Sequence, residues 1–231
     1  YSTTSVYSLK LPEQRTAPWT DGEIQTMKDA IAFITDDNYA KQQVGIALFG
    51  RIEDWDISQM TDLEQLFRNV QNIPSGISSW DVSNVTNMRA CFTGCSNMDV
   101  DLSSWDTSSV KDMINTFSNT TFTSDPGINN WDISNVTSMN GMFRNSNFNY
   151  DIYKWDTSSV TFMGRMFQGH SNYTFFNKPI NSSVQTKSDG TKYVRINALA
   201  FLTSRRISKE ILPSGREDNT KYLTCLLNTS D

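Results

Sequence analysis

Histidine is nearly absent from this chain. His170 is the only one, beside Ser171 and Asn172, with neither a placed nucleophile nor an orienting carboxylate. A lone imidazole of that kind reads as a solvated loop residue and leaves no His-based catalytic pair. Cysteine is scarce as well. Cys91, Cys95 and Cys225 are odd in number and include no CxxC pair, so neither a disulfide framework nor a zinc site is indicated. Cys91 and Cys95 stand at i and i+4, which in a helical segment makes them small packing residues.

Other absences narrow the function. No Lys/Arg-rich block interrupts a chain of net charge -5, so there is no electrostatic footprint for phosphate backbones or anionic lipid, and nucleic acid is excluded as a partner. No apolar run approaches the roughly 18 residues of a membrane span, and the N-terminus lacks the regions of a signal peptide. The chain begins at Tyr1 rather than Met, so the expectation is a processed product or the ordered part of something longer, and a missing signal or anchor proves little. GxGxxG, GxxxxGK[ST], HExxH and GxSxG are all missing, and no cofactor is indicated. Hydrophobic residues at 37% and aromatics at 12% nevertheless supply a core and argue against general disorder.

What is present is one phrase, Trp-Asp-x-Ser-x-(Val/Met)-x-x-(Met/Leu), closed by Phe and written five times. It begins at Trp55, Trp80, Trp105, Trp131 and Trp155. Asp follows at +1 (Asp56, Asp81, Asp106, Asp132, Asp156) and Ser at +3 (Ser58, Ser83, Ser108, Ser134, Ser158). Apolar residues occupy +5 and +8, and Phe stands at +12 (Phe67, Phe92, Phe117, Phe143, Phe167). Trp-to-Trp steps are 25, 25, 26 and 24, while the Trp-to-Phe span is 12 in every copy. Length changes therefore fall only in the return limb, as in a solenoid whose one side stacks in strict register. A WD40 propeller needs about 40 to 45 residues per blade and is excluded.

Four regions follow: an extended lead-in over 1–19, an N-terminal helical cap over 20–51, five coils over 52–175, and a degenerate sixth repeat with hairpin and C-terminal cap over 176–231. In the cap, Thr20 and Glu23 form a capping box, and Ile24, Met27, Ile31 and Ile34 keep a one-sided apolar stripe through Asp36. Residues 38–51 lead into the array through Val44, Ile46, Leu48 and Phe49. Within each repeat, Ile-x-x-Trp brackets a short extended segment, Asp-x-Ser reads as a turn, and Met-x-x-x-Phe reads as one helical turn. Stacked coils put Trp over Trp and Phe over Phe about 4.8 Å apart. Trp105, in the middle coil, should then matter more to stability than Trp55 at the end. In the last third, Ser183 stands where a sixth Trp belongs, and Val184 to Ile196 around Ser188-Asp189-Gly190 reads as a β-hairpin.

These residues resemble a known family. Five copies of WDxSxVxxMxxxF, the Phe176-Asn177-Lys178-Pro179-Ile180 lead-in and the approach from Phe49 to Trp55 are similar to the bacterial-surface-protein repeats of about 25 residues, a group related to the BspA-type leucine-rich repeats and seen in Mycoplasma surface lipoproteins, other bacterial surface proteins, protists, marine algae and large DNA viruses. The resemblance covers roughly residues 20 to 201. It implies an α+β repeat solenoid with leucine-rich-repeat-like right-handed coils and short parallel strands, placed on a cell, extracellular or virion surface.

The five aspartates are the one candidate constellation, as a carboxylate ladder for calcium or acid–base chemistry. A catalytic site is singular, whereas these repeat with the structure, and an Asp before a turn ordinarily accepts backbone N–H bonds. The Trp, Asp and Phe rows are therefore expected to be structural, with no catalytic, metal or cofactor residues. Asn84, Asn119, Asn135, Asn172, Asn181 and Asn228 head Asn-x-Ser/Thr sequences, which are either glycosylation acceptors or, at Asn84 and Asn135, repeat consensus.

The expected function is a non-enzymatic scaffold that binds a protein or a glycan without inserting into a membrane. Its surface would be formed by Glu53-Asp54, Ser78-Ser79, Ser103-Ser104, Asn129-Asn130 and Tyr153-Lys154. The alternative is a structural subunit of a large assembly, such as a giant-virus capsid or organellar complex, contacting neighbours through loop aromatics that include Phe122 and Phe148. Tyr150, Tyr153, Tyr173, Phe175 and Phe176 are the candidate interaction residues.

Overall fold

The computed structural model describes residues 17–169 except Tyr153 and Ser158, together with two short strands at 183–186 and 192–195. The lead-in before Ala17, His170, Cys225, Tyr153, Tyr173, Phe175, Phe176 and the proposed C-terminal cap lie outside the described residues.

Successive copies of the phrase lie on one another in parallel, and the backbone shows how. From +8 to +14, every second N–H leaves its own copy. Those of Leu63, Gln65, Phe67 and Asn69 donate to the carbonyls of Asn87, Arg89, Cys91 and Thr93 at 2.8–3.0 Å. The same four bonds recur at each later step, ending with Met139, Gly141, Phe143 and Asn145 donating to Phe162, Gly164, Met166 and Gln168. Several intervening N–H groups stay at home: Leu66 donates to Leu63, Arg68 to Gln65 and Val70 to Phe67. The bonds Leu66 to Leu63 and Val70 to Phe67 close β-turns whose third residues, Gln65 and Asn69, lie in the left-handed region, as a type II turn requires.

Positive φ accordingly falls at +10 (Gln65, Ala90, Asn115, Gly141, Arg165) and +14 (Asn69, Gly94, Asn119, Asn145, Gly169) of all five copies. The +14 site holds only Asn or Gly, the residues that tolerate this conformation at least cost. At Gly94, moreover, a Cβ would collide with the Asn69 carboxamide of the copy before. The single helical turn expected for Met-x-x-x-Phe is thus corrected to a run of turns. An α-helix would keep every N–H inside its copy, whereas here half are needed to join the next one.

The expected strand at Ile-x-x-Trp is also not found. Ile52–Asp54, Ser75–Ser79 and Ile128–Asn130 are short 3-10 helices, as their Ser, Asp, Asn and Gly content favours. Among the described residues, parallel pairing between copies is confined to isolated bridges such as Asp62 to Asn87, Asn87 to Asp112, Asp112 to Ser138 and Ser138 to Phe162. Beyond the array, β1 (Ser183–Thr186) and β2 (Lys192–Arg195) pair antiparallel with Val184 opposite Val194.

Aromatic rows fill the interior. The Phe rings of consecutive copies stack at 5.4, 5.3, 5.7 and 5.6 Å, nearly parallel. Each Phe also meets the Trp of the following copy, at 5.6 Å for Phe67 with Trp80 and 5.9 Å for Phe92 with Trp105. Two further aromatics join them. Phe122 and Phe148, expected in exposed loops, are buried and lie 5.2 Å apart, with Phe148 only 4.0 Å from Phe143. Phe122 pairs across copies with Met98, so the two rings continue a buried position that Ile73 and Met98 hold in the first two copies, beside the surface pair Asn72 and Asn97, whose side chains are hydrogen-bonded at 2.9 Å.

The first copy has no predecessor, and the cap supplies substitutes. In every later copy the N–H groups at +6 and +7 donate to the +6 carbonyl of the copy before, as Thr86 and Asn87 do to Thr61. In the first copy, Thr61 and Asp62 donate instead to Oδ1 of Asp21 at 2.8 and 3.0 Å, and the Thr61 hydroxyl donates to Oδ2 at 2.5 Å. Trp19 covers Trp55 at 5.0 Å, is 1% exposed, and donates its N–H to the Asp56 carbonyl. Residue 19 therefore belongs to the packed core rather than to a polar lead-in, and Trp55 has no free face. The cap helices are α1 (Ile24–Ile34), which buries Met27, Ala30, Ile31 and Ile34, and α2 (Tyr39–Phe49), which begins at Asn38, whose side chain accepts from the Ala40 and Lys41 N–H groups.

This arrangement ranks the cap residues. Trp19→Ala should cost about 3–5 kcal/mol, as for any large aromatic removed from a core. Asp21→Ala should cost about 0.5–1.5 kcal/mol, because the donors it strands can turn to water. Asp21→Asn, which keeps an acceptor oxygen, should cost less than Asp21→Ala. Urea unfolding followed by circular dichroism checks the order, and a neutral Trp19→Ala would refute the assigned role.

Candidate functional site

The aspartate row is the place to look for chemistry. Its geometry begins with the Trp one residue earlier. Each indole N–H donates to the carbonyl three residues before the preceding Trp: Trp80 to Ile52, Trp105 to Ile77, Trp131 to Leu102 and Trp155 to Ile128, at 2.8–2.9 Å. Trp55, lacking that predecessor, donates to Phe49 at the end of α2 at 2.8 Å. The indole is thereby fixed, and the following Asp is turned outward, exposed at Asp56, Asp81, Asp106, Asp132 and Asp156.

In the first four copies the carboxylate then folds back on its own turn. The N–H groups of Ser58, Ser83, Ser108 and Ser134 donate to Oδ1 of Asp56, Asp81, Asp106 and Asp132 at 2.9–3.0 Å. Hydrogen bonds from the Ser58 and Ser108 side chains and N–H groups hold the Asp56 and Asp106 carboxyls below the usual carboxylate range. At Asp21 burial pushes the other way, but the bonds from Thr61 and Asp62 outweigh it and hold its carboxyl low too. A carboxylate held ionised by its own turn is poorly suited to proton transfer near neutral pH. Among the described residues, no three His, Cys, Asp or Glu side chains come together as a metal-binding group.

The other candidates are placed as follows. Cys91 and Cys95 are buried and unbridged. Burial raises both thiols, Cys95 to about 12, and the Cys95 Sγ donates to the Phe67 carbonyl at 3.2 Å. Among the described residues, neither cysteine is placed to act as a reactive thiolate. The side-chain nitrogens of Asn84 and Asn135 donate to the Ser58 and Ser108 carbonyls of the preceding copy at 2.9 and 2.8 Å, while Asn119 accepts from Asn145 at 3.0 Å. Tyr150 is half-buried against Phe122 and Phe148, and burial, with Asp125 and Asp99 nearby, raises its phenol. The varied surface pairs are partly tied down as well: the Ser104 hydroxyl donates to the Ser78 carbonyl and Lys154 Nζ to Asn130 Oδ1, both at 2.7 Å.

The family model described as Mycoplasma protein of unknown function, DUF285, matches residues 36–127 and 121–204. The chain belongs to the DUF285 family. No curated protein and no solved structure matches it. The two DUF285 matches take in α2, all five copies and β1 and β2, so the region around Ser183 lies within the family pattern. Trp19, Asp21 and α1 lie outside both matches.

Sequence reasoning missed Trp19 and Asp21, for which only an isolated Trp and an acidic residue offered any signal. It also missed the Asn/Gly alternation at +14, which is visible in the sequence at every copy. No helix among the described residues is long and apolar enough to cross a membrane.

Two outcomes follow for this DUF285 chain. The folded-state values of Asp56 and Asp106 lie below the unfolded value near 3.9. Their contribution is therefore complete above about pH 4 and is lost as pH falls through the folded values. Melting temperature should hold steady down to about pH 4 and then drop, with a shallower drop in Asp106→Asn, which keeps the acceptor oxygen but has no charge to lose. Calcium should leave the melt at neutral pH unchanged, and a calcium-dependent rise of several degrees would show that the aspartate row binds the ion.

Proposed function

We propose that this chain is a non-enzymatic scaffold that binds a protein partner, with a glycan as the second class of ligand, on a cell or particle surface. In this reading the stacked copies form a right-handed, leucine-rich-repeat-like solenoid of the BspA type. The parallel bridges and the four-bond ladder between copies support that architecture.

One observation carries the functional reading. The polar side chains that repeat, Asp at +1 and the consensus Asn at +4, are engaged in holding turns and copies together. Residues so engaged are framework, and among the described residues they leave a rigid surface rather than a cluster of free catalytic groups. Binding modules built from repeats work in this way, their recognition residing in positions the repeat does not dictate.

The alternative, a structural subunit of a large assembly, drew on loop aromatics. Phe122 and Phe148 no longer speak for it, since both are buried.

The reading is tested on native material with a membrane-impermeant amine-reactive cross-linker applied to intact cells or particles. The expected outcome is labelling of the chain from outside and recovery of a defined cross-linked protein. Labelling only after lysis would remove the surface assignment, and recovery solely as part of a stoichiometric shell would favour the structural subunit.

A further inference from the structure

Large apolar side chains are left on the outside in very few places. Among the described residues they are Phe33 at 40% exposed, Tyr39 at 72%, Val44 at 50%, Leu48 at 37% and Phe162 at 62%. Four of the five lie on the two cap helices. The array, with far more apolar residues, hides nearly all of them, so the cap is unlike the rest of the molecule.

The helix α2 shows why. Its sequence, YAKQQVGIALF, is apolar on more than one side, yet Gly45 is its one fully buried residue. A helix that is apolar all round is normally buried on more than one face. At Gly45 an added Cβ would stand 2.8 Å from Cβ of Phe33. The two helices therefore meet there almost backbone to side chain, which places Phe33 beside α2. Lys41, Val44, Gly45 and Leu48 follow at i, i+3, i+4 and i+7 and share a face. Phe33, Val44 and Leu48 thus form an apolar strip along the seam between α1 and α2, the surface onto which a third helix packs in a helical layer.

Charge selects among occupants. Asp29 stands one turn before Phe33 on α1, and Asp36 and Asp37 follow it. Against these three carboxylates stands Lys41, held by Asp36 at 3.1 Å, while Arg51, three residues past Leu48, is paired with Glu53 and adds no net charge. A second copy of this chain would bring the same carboxylates against each other, and an anionic lipid surface would be repelled.

We infer that this seam docks an amphipathic helix of a protein partner, with apolar residues at i, i+3 or i+4 spacing and Lys or Arg along its flanks. The inference rests on the protein-binding reading above and locates it on the cap.

The test uses the full chain and a fluorescein-labelled designed peptide of leucine and lysine with the leucines at helical spacing. Its leucine/glutamate counterpart and a scrambled leucine/lysine peptide serve as controls. Fluorescence anisotropy should show saturable binding of the first peptide only. Val44→Ser with Leu48→Ser should weaken it at least about tenfold, the change expected when central apolar contacts of an interface are removed, while leaving the circular dichroism spectrum and melt intact. Asp37→Asn should weaken it less and reduce its salt dependence.

Four outcomes overturn the inference. The leucine/glutamate or scrambled peptide binds equally well; the serine variants bind unchanged; Val44 and Leu48 instead drive concentration-dependent self-association or binding to phosphatidylserine vesicles; or a photo-cross-linker at Leu48 captures this chain's own residues. A native partner that still cross-links to the serine variant leaves the protein-binding reading standing and removes this seam as its site.

Discussion

The structure depends on how alternate backbone N–H groups are shared out between +8 and +14 of each copy. Four go forward to the next copy, and those between them close turns at home. Neither set alone makes a stable object. A lone copy would leave its forward donors and the facing carbonyls unpaired, and copies without turns would have nothing to fix their width. The partition comes with positive φ at +10 and +14 of every copy, and it fixes the spacing from +8 to the Phe within a Trp-to-Phe span of 12 residues that never changes. An insertion anywhere inside it would exchange forward donors for home donors and turn the Phe out of its row, much as a one-residue slip inverts a strand.

Regularity of this kind creates a problem at its ends. The first copy receives donors and rings shaped for a predecessor that does not exist. The chain meets this with unrelated groups in equivalent positions: a carboxylate of Asp21 for a carbonyl, the Phe49 carbonyl at a helix end for a coil carbonyl, and Trp19 for a stacked indole. The substitution is chemical rather than architectural. A helix pair cannot continue the ladder, but Trp19 and Asp21 before it and the last carbonyl of α2, that of Phe49, can present the few acceptors and the one flat face that the ladder requires.

That contrast explains what could be read in advance. The Trp, Asp, Ser and Phe rows were legible because five copies report the same offsets. The stripe of α1 was legible because Met27, Ile31 and Ile34 lie on one side only. Trp19 and Asp21 were not, since each acts once, and Asp21 acts through side-chain oxygens on residues some 40 positions away. The second helix lies inside the helical cap expected over 20–51, but its own bounds are not legible because its apolar residues lie all round and give no one-sided period. Between Met and Phe an i, i+4 apolar pair is common to a helix and to a run of turns; only the Asn and Gly at +14 distinguish them. The burial of Phe122 and Phe148 is not legible because they lie in the return limb, where the spacing from Trp varies and their counterparts Ile73 and Met98 are not aromatic.

The same economy bears on where function can lie. A polar residue that recurs every 25 or so residues has its hydrogen-bonding groups engaged, the Asp with its own turn and Asn84 and Asn135 with the preceding copy, which leaves them little freedom to be tuned to one substrate. The carboxylates and amides of the phrase are therefore committed to structure by the repetition that makes them conspicuous. Freedom to vary exists where a copy meets something that is not a copy. At the described end, the helices that seal the ladder use only one side of each for that purpose. The remaining sides are released from the register, and it is there, on Phe33, Val44 and Leu48, that apolar surface is left uncovered.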